Sequence, residues 1–145
     1  SPKLESLDLS VLISETVSLI RNSPELRPNH EIETQLASVS RPVDGSMMRQ
    51  VFYNLASNAF RAMPEGGKLT IYLEKRGGTA RIKFEDTGQG MDEDQLKQLF
   101  VPFYSKFANG TGLGLPVVYQ IISAHNGTMS VKSQVGVGSV FAIDI

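Results

Sequence analysis

The sequence predicts an α+β domain in which helices cover one face of a mixed β-sheet, forming a two-layer sandwich. Three observations predict this class. Two hairpin-like segments alternate apolar and polar residues, three longer segments are apolar at helical spacing, and no βαβ unit recurs along the chain. Because each hairpin is polar on one side, the sheet has only one face to bury. A doubly wound parallel sheet, which is covered by helices on both faces, is therefore excluded.

The elements are predicted in order from their periodicity and their breakers. The first helix has Ser10 as its candidate cap, and Pro24 and Pro28 prevent its continuation. The predicted elements are a helix over 9–20, a strand over 30–36, a helix over 45–63, strands around 69–73 and 80–84, a short helix over 92–100, an irregular stretch over 101–111, a helix over 113–125, and a last hairpin of 129–132 and 139–145.

The composition is that of a globular chain with balanced charge. Its 145 residues are 41% hydrophobic and 20% charged, with a net charge of −1, which suits one domain over 1–145. No basic surplus points to nucleic acid or an anionic membrane as an obligatory partner. The chain has no cysteine, which excludes thiolate metal sites, and its apolar runs are shorter than the roughly 20 residues that span a bilayer.

The segment NGTGLGLPVV, residues 109–118, places glycines at alternate positions before an apolar run. It is not a Walker A loop, because no lysine follows Gly112 or Gly114, and no βαβ unit surrounds it as a dinucleotide fingerprint requires. What remains is a glycine-rich segment that opens a helix, whose first amides are donors for an anion such as phosphate. A loop packed tightly for structural reasons explains the pattern equally well.

A second segment, EDTGQGM over 85–91, places Asp86 at the end of a strand. A carboxylate there accepts a hydrogen bond from an exocyclic amine such as that of adenine, and Gly88 and Gly90 let the backbone pass close to a ligand. The alternative is a common Asx-type turn.

The helix MMRQVFYNLASNAFRAM, over 47–63, carries a polar ridge at the edge of its apolar face. At about 100° per residue, Asn54, Asn58 and Arg61 fall in a strip roughly 60° wide. Asparagine is unfavourable inside a helix, so two of them one turn apart are unusual. An amide oxygen suits Mg²⁺ and an arginine suits phosphate, whereas a solvated helix face is the plain alternative.

Taken in this order, the motifs resemble the catalytic, ATP-binding domain of sensor histidine kinases, within the group that also holds gyrase B, Hsp90 and MutL. NLASNAFRAM resembles the N box, DTGQGM the G1 box, LFVPFYSK the F box, GTGLGL the G2 box, and GVGSVF the closing segment. The resemblance covers almost the whole chain and implies a Bergerat-type ATP-binding fold. NAFRAMPEGG and PFYSK are most similar to sensors of the nitrogen-regulation type.

The resemblance implies that ATP and Mg²⁺ bind beside the helical ridge. Asn58 matches the Mg²⁺-binding asparagine, Asn54 lies one turn earlier near the phosphates, and Arg61 matches a phosphate-binding basic residue. Lys106 matches a lysine on the lid over 101–111, which we expect to be mobile without nucleotide; Asn54 and Lys106 are the candidate catalytic residues. The phosphate side of the G2 box comprises Gly110, Thr111, Gly112, Leu113 and Gly114.

At the base, the resemblance gives Asp86 the role of reading adenine, with Gly88 and Gly90 beside it. Ser139 takes the place of a hydroxyl residue that supports the adenine.

The resemblance implies transfer of the γ-phosphoryl group of ATP to a histidine on a separate dimerisation and phosphoacceptor domain, with a response regulator as the further partner. That domain is absent from this sequence. Residues 1–8 belong either to the ATP-binding domain or to a linker from the dimerisation domain. His30 and His125 are expected to be structural. We expect a cytoplasmic segment without direct membrane contact, which is compatible with a membrane-bound sensor.

Two alternatives remain. One is a stand-alone nucleotide-binding regulator such as an anti-sigma kinase. The other is an ATP-hydrolysing clamp domain, which is disfavoured because those relatives carry glutamate at the position of Asn54. Without that base, we expect slow hydrolysis.

Overall fold

The computed structural model describes residues 1–102 and 114–145, which form four helices and seven strands in that part of the chain. The helices are α1 (Leu9–Arg21), α2 (Gly45–Arg61), α3 (Glu93–Gln98) and α4 (Gly114–Ala124). The strands are β1 (Glu5–Asp8), β2 (His30–Leu36), β3 (Ser40–Val43), β4 (Gly67–Arg76), β5 (Thr79–Asp86), β6 (Thr128–Gln134) and β7 (Gly138–Asp144).

Five strands form the main sheet, in the order β2-β4-β5-β7-β6. β2 pairs with β4 in parallel, and the other three pairings are antiparallel, so the predicted mixed sheet is confirmed. The predicted strand over 30–36 has its expected bounds. The two hairpins are longer than predicted, because pairing continues past the last alternating apolar residue toward each turn.

The helices cover one face of this sheet, as predicted. Leu69, Ile82 and Phe84 point into the core, where Phe84 stacks on Phe52 of α2 at 6.1 Å between ring centroids. The opposite face carries polar pairs, among them the ion pair of Arg81 with Asp144 at 2.8 Å. The alternation in the sequence therefore separates a helix-covered face from a polar one.

A small second sheet was not predicted. β1 pairs with β3 in antiparallel register, with Glu5 opposite Val43 and Asp8 opposite Ser40. Both strands have four residues, and Pro42 lies within β3, where sequence patterns argue against a strand. Residues 5–8 are thus paired to the domain; whether they also continue into a further domain stays a prediction.

Two helix caps explain where the long helices begin. The predicted cap Ser10 is wrong: Asp8 is the N-cap of α1, and the amide and hydroxyl of Ser10 both donate to its Oδ1 at 2.9 and 2.7 Å. Ser10 lies inside the first turn because β1 delivers Asp8 directly to the helix. Asp44 caps α2 in the same way by accepting from Met47 N at 3.1 Å.

No helix in the described ranges is long and apolar enough to cross a membrane.

Candidate nucleotide-binding site

The polar ridge lies on α2, and its first residue, Asn54, reaches the start of α4. Asn54 and Asn58 are half-buried, and Arg61 is exposed in the last turn of α2. Asn54 Nδ2 donates a hydrogen bond to the carbonyl oxygen of Gly114, the first residue of α4, at 3.1 Å. The structure thus brings together a residue of the N-box segment and a residue of the glycine-rich segment.

This contact depends on the chemistry of asparagine. An amide nitrogen donates, whereas an ionised carboxylate only accepts. An ionised glutamate or aspartate at position 54 could not donate this hydrogen bond, and its carboxylate would repel the carbonyl oxygen of Gly114. Asn54 has a structural task here that the sequence alone did not reveal.

Asn58 and Arg61 are placed differently from Asn54. Within residues 1–102 and 114–145, neither side chain makes a hydrogen bond or ion pair to another residue. The amide oxygen of Asn58 is a hard donor at a half-exposed position, which fits the few protein ligands that Mg²⁺ takes. In the described ranges no group of three or more His, Cys, Asp or Glu side chains could hold a metal ion.

Asp86 ends β5 on the core side of the sheet, with 4% of its surface exposed. Its Oδ1 accepts hydrogen bonds from the amides of Gly88 at 2.9 Å and Ser139 at 3.3 Å. The bond from Gly88 is an Asx-type turn, so the structural alternative raised from the sequence is present. Two backbone donors on one oxygen fix the orientation of the carboxylate, so the turn also prepares Asp86 as an acceptor.

The glycines after Asp86 are required by contacts within the protein. A Cβ on Gly88 would lie 2.3 Å from the carbonyl oxygen of Ala62 at the end of α2. Gly90 has φ +68°, and its Cβ would lie 2.1 Å from the carbonyl oxygen of Gln134. The expectation that they serve ligand approach misses this reason: two neighbouring backbones leave no room for a side chain. Their contact with a nucleotide stays a prediction.

Ser139 is buried opposite Asp86 in the register of β5 and β7. Its hydroxyl lies 2.7 Å from the hydroxyl of Ser133, on the neighbouring strand β6. Ser133 also accepts a hydrogen bond from the amide of Met91 at 2.8 Å. Sequence reasoning missed Ser133 because a lone serine in a strand carries no motif.

Glu25 is a second residue that sequence reasoning missed. Its carboxylate accepts hydrogen bonds from the hydroxyls of Ser57, at 2.5 Å, and Tyr53, at 3.3 Å, both on α2. These two residues each precede a ridge asparagine, so Glu25 ties the segment between α1 and β2 to the flank of the ridge. Burial and then the nearby charge of Glu25 raise the pKa of Tyr53.

Both histidines are bound on both ring nitrogens. His30 Nδ1 accepts from Arg27 N at 3.1 Å, so its Nε2 donates to the carbonyl of Met63 at 2.8 Å. His125 Nε2 accepts from Asp44 N at 3.0 Å, so its Nδ1 donates to the carbonyl of Ile121 at 2.8 Å. Both rings are thus anchored to backbone groups within the fold.

Several predicted site residues lie outside the described residues. They are Lys106, Gly110, Thr111, Gly112 and Leu113, together with the predicted lid beyond residue 102. The predicted start of the last helix at Leu113 lies there too; α4 is described from Gly114.

Comparison with known proteins gives a consistent result. The family model for histidine kinase-, DNA gyrase B-, and HSP90-like ATPases matches residues 43–145. The chain is 43% identical over 100 residues to sporulation kinase C of Bacillus subtilis, which is 69% of this chain and 23% of that protein. It is 34% identical over 143 residues to the sensor histidine kinase ZraS of Escherichia coli, which is 97% of this chain and 30% of that protein. The chain thus spans less than a third of the length of these relatives.

Solved structures agree in fold. The catalytic domain of histidine kinase ThkA superposes with a TM-score of 0.85 at 27% identity, covering 99% of this chain and 95% of that one. Full-length ShkA in complex with AMPPNP superposes with a TM-score of 0.85 at 25% identity, covering 99% of this chain and 31% of that one. Neither comparison tests the resemblance to nitrogen-regulation sensors, which stays a prediction. The chain belongs to the family of histidine kinase-, DNA gyrase B-, and HSP90-like ATPases, with the fold of a histidine kinase catalytic domain.

Proposed function

We propose that this chain is the ATP-binding catalytic domain of a two-component sensor histidine kinase. It transfers the γ-phosphoryl group of ATP to a histidine on a separate dimerisation domain, from which a response regulator receives it. The observation that carries the proposal is the presence of two dissimilar groups: a carboxylate fixed by two amides, Asp86, at the end of β5, and an amide ridge on α2 whose Asn54 is bound to the first residue of α4. Relatives that are named sensor histidine kinases support it.

At the base, Asp86 accepts the exocyclic amine of adenine. Its Oδ1 is held by the amides of Gly88 and Ser139, so the carboxylate needs little reorganisation when the base arrives. Guanine presents a carbonyl at that point, which would oppose the carboxylate and leave it unpaired. The site therefore selects adenine over guanine. ShkA, whose structure holds AMPPNP, supports nucleotide binding by this fold.

At the phosphates, Asn58, Arg61 and the first amides of α4 would act together. Asn58 would hold Mg²⁺ through its amide oxygen, and the ion would neutralise phosphate oxygens. Arg61 adds a charge that pairs with phosphate, and the amides of α4 donate to it. Catalysis then consists of positioning and charge stabilisation, with Lys106 as the candidate lid residue.

Asn54 favours phosphotransfer over hydrolysis. Its amide is bound to the carbonyl of Gly114 and cannot take a proton from water at neutral pH. The clamp-type ATPases that carry glutamate at this position have a base there. Water is therefore a poor competitor for the phosphoryl group while the domain waits for its histidine.

Incubation with γ-labelled ATP, with and without a dimerisation domain supplied in trans, tests the proposal. We expect slow turnover by the chain alone, and an acid-labile phosphohistidine on the added domain only. A dimerisation domain whose histidine is replaced by alanine is the control. Stable label on this chain, or several turnovers a minute without the partner, would contradict the proposal in favour of a self-sufficient ATPase or kinase.

A further inference from the structure

A polar row crosses the sheet from Asp86 to its edge. Asp86 of β5 is the register partner of Ser139 of β7, and Ser139 is the register partner of Ser133 of β6. Paired residues project from the same face of a sheet, so the three side chains lie side by side at the end of the core. Adjacent members are in contact: Ser139 N donates to Asp86 Oδ1, and the two serine hydroxyls lie 2.7 Å apart.

Ser133 also joins the row to the loop that follows Asp86. Its hydroxyl accepts from Met91 N at 2.8 Å and lies 3.2 Å from the carbonyl oxygen of Gly138. A hydroxyl has one hydrogen and two lone pairs. Since Met91 occupies an acceptor site, the hydrogen is available to Gly138 or Ser139. One side chain therefore connects the loop at 86–91 with the turn between β6 and β7.

The surrounding contacts leave little freedom for that loop and turn. Gly136 N donates to the carbonyl of Gln89 at 2.9 Å. A Cβ on Gly138 would lie 2.0 Å from the carbonyl oxygen of Asp86, so the two backbones are in direct contact. Ser133 adds a side-chain link to these backbone contacts, because its hydroxyl contacts Ser139, the residue whose amide binds Asp86.

We propose that Ser133 is a positioning residue for adenine specificity. It holds Ser139 and the end of the loop in the arrangement in which the Ser139 amide fixes the Asp86 carboxylate. Ser133 acts through Ser139 and does not itself contact the nucleotide. The inference rests on the proposed role of Asp86 in reading adenine.

Replacing Ser133 with alanine tests this. Removing the hydroxyl leaves the amide of Met91 without its acceptor and loosens Ser139, so the carboxylate loses its preorganisation. Affinity for ATP falls about three- to tenfold, the equivalent of one hydrogen bond. Affinity for GTP changes little, because guanine gains nothing from that orientation. The ATP-to-GTP affinity ratio therefore narrows by the same factor.

Two comparisons separate positioning from folding. Ser130→Ala is the matched control, because Ser130 is an exposed serine on the opposite face of the same strand. Ser133→Thr keeps the hydroxyl, and Ser133→Val has the shape of threonine without the hydroxyl. We expect the wild-type ratio in the threonine variant and a narrowed ratio in the valine variant. This pair also decides the matter if Ser133→Ala does not fold.

The measurement is competition of ATP and GTP against a fluorescent ATP analogue, with thermal unfolding of each variant. A wild-type chain without adenine preference would overturn both the proposed function and this inference. A wild-type chain that prefers ATP, with the ratio retained in Ser133→Ala or Ser133→Val, would overturn the inference alone. Equal losses for ATP and GTP would mean a purely structural serine and would also overturn it.

Discussion

The two ends of the candidate site are built in opposite ways. At the base end, Asp86 is buried and its carboxylate is fixed by two backbone amides, while Gly88 and Gly90 lie against neighbouring backbones. At the phosphate end, the side chains of Asn58 and Arg61 are unpaired within the described residues, and α4 is held to the ridge by Asn54.

The difference shows that the adenine-binding groups are ordered before the ligand arrives, whereas the phosphate-binding groups find their partners only when the charged ligand binds. Adenine is neutral, so a fixed acceptor in a dry environment reads it at little cost in reorganisation. Triphosphate with Mg²⁺ brings its own charges, and solvated side chains such as Arg61 meet them without the cost of burying an unpaired ion. Within residues 1–102 and 114–145, the base end is therefore already ordered by internal hydrogen bonds (a finished end), whereas the phosphate end has side chains without partners (an incomplete end).

Asp86→Asn should have the largest effect, because it changes the finished end. The two amide donors keep the side-chain oxygen of asparagine in place, so its NH₂ group faces the adenine amine, donor against donor. We expect ATP affinity to fall about 100-fold, or about 3 kcal/mol, and the preference over GTP to disappear. Calorimetry with both nucleotides measures this, with the exposed neighbour Glu85→Gln as control. An unchanged ATP-to-GTP ratio would show that Asp86 does not read the base.

Asn54→Asp probes the contact between the two helices that meet at the phosphate end. The carboxylate opposes the carbonyl of Gly114, so we expect the free energy of unfolding to fall by about 2 kcal/mol. Asn54→Ala, which removes the bond without adding a charge, should lose about half as much. Urea denaturation measures both. Equal stability of Asn54→Asp and wild type would mean that the amide contact does not hold α4.

Asn58→Ala should act only on the incomplete end. Removing an amide that is unpaired in the described residues leaves stability nearly unchanged, whereas the gain in ATP affinity on adding Mg²⁺ should fall about tenfold. Titrations with and without Mg²⁺ separate the two. Gln50→Ala, an exposed amide near the start of the same helix, is the control. A folded variant with the full Mg²⁺ effect would remove Asn58 from the metal site.

Asp144→Asn should have the smallest effect and none on nucleotide binding. Asp144 lies on the polar face of β7, where hydrogen bonds from Arg81 lower its pKa below the ordinary 3.8. A lowered pKa contributes stability that is present above 3.8 and is lost as the pH falls through the folded value. We expect a loss of at most about 1 kcal/mol at neutral pH and a flatter acid-unfolding curve. A change in ATP affinity would contradict the view that the polar face of the sheet is independent of the nucleotide site on the helix-covered face.

The sequence predicted the elements that carry a local pattern, either a periodic spacing of apolar residues or a motif. The helices, the mixed sheet and the segments around Asp86 and Asn58 follow from periodicity, glycine spacing and motif order. Asp8 was missed as the cap of α1 because β1, the strand that delivers it, has only four residues.

Contacts between distant residues were not predictable. Ser133 binds Met91, and Glu25 binds Ser57, across separations of 42 and 32 residues. A single serine or glutamate carries no local pattern that marks such a partner. The glycines beside Asp86 carried a pattern, but their requirement comes from Ala62 and Gln134, which only the folded chain brings near.

The Mg²⁺ dependence of ATP binding, compared with that of adenosine, tests the contrast between the two ends most directly. Adenosine contacts only the base end, so its dissociation constant, measured directly by calorimetry, should be the same with and without Mg²⁺, and its binding should be lost in Asp86→Asn. ATP should bind more tightly when Mg²⁺ is added, and this gain should depend on Asn58. ATP binding that is indifferent to Mg²⁺, or adenosine binding that requires it, would contradict a finished base end and an incomplete phosphate end.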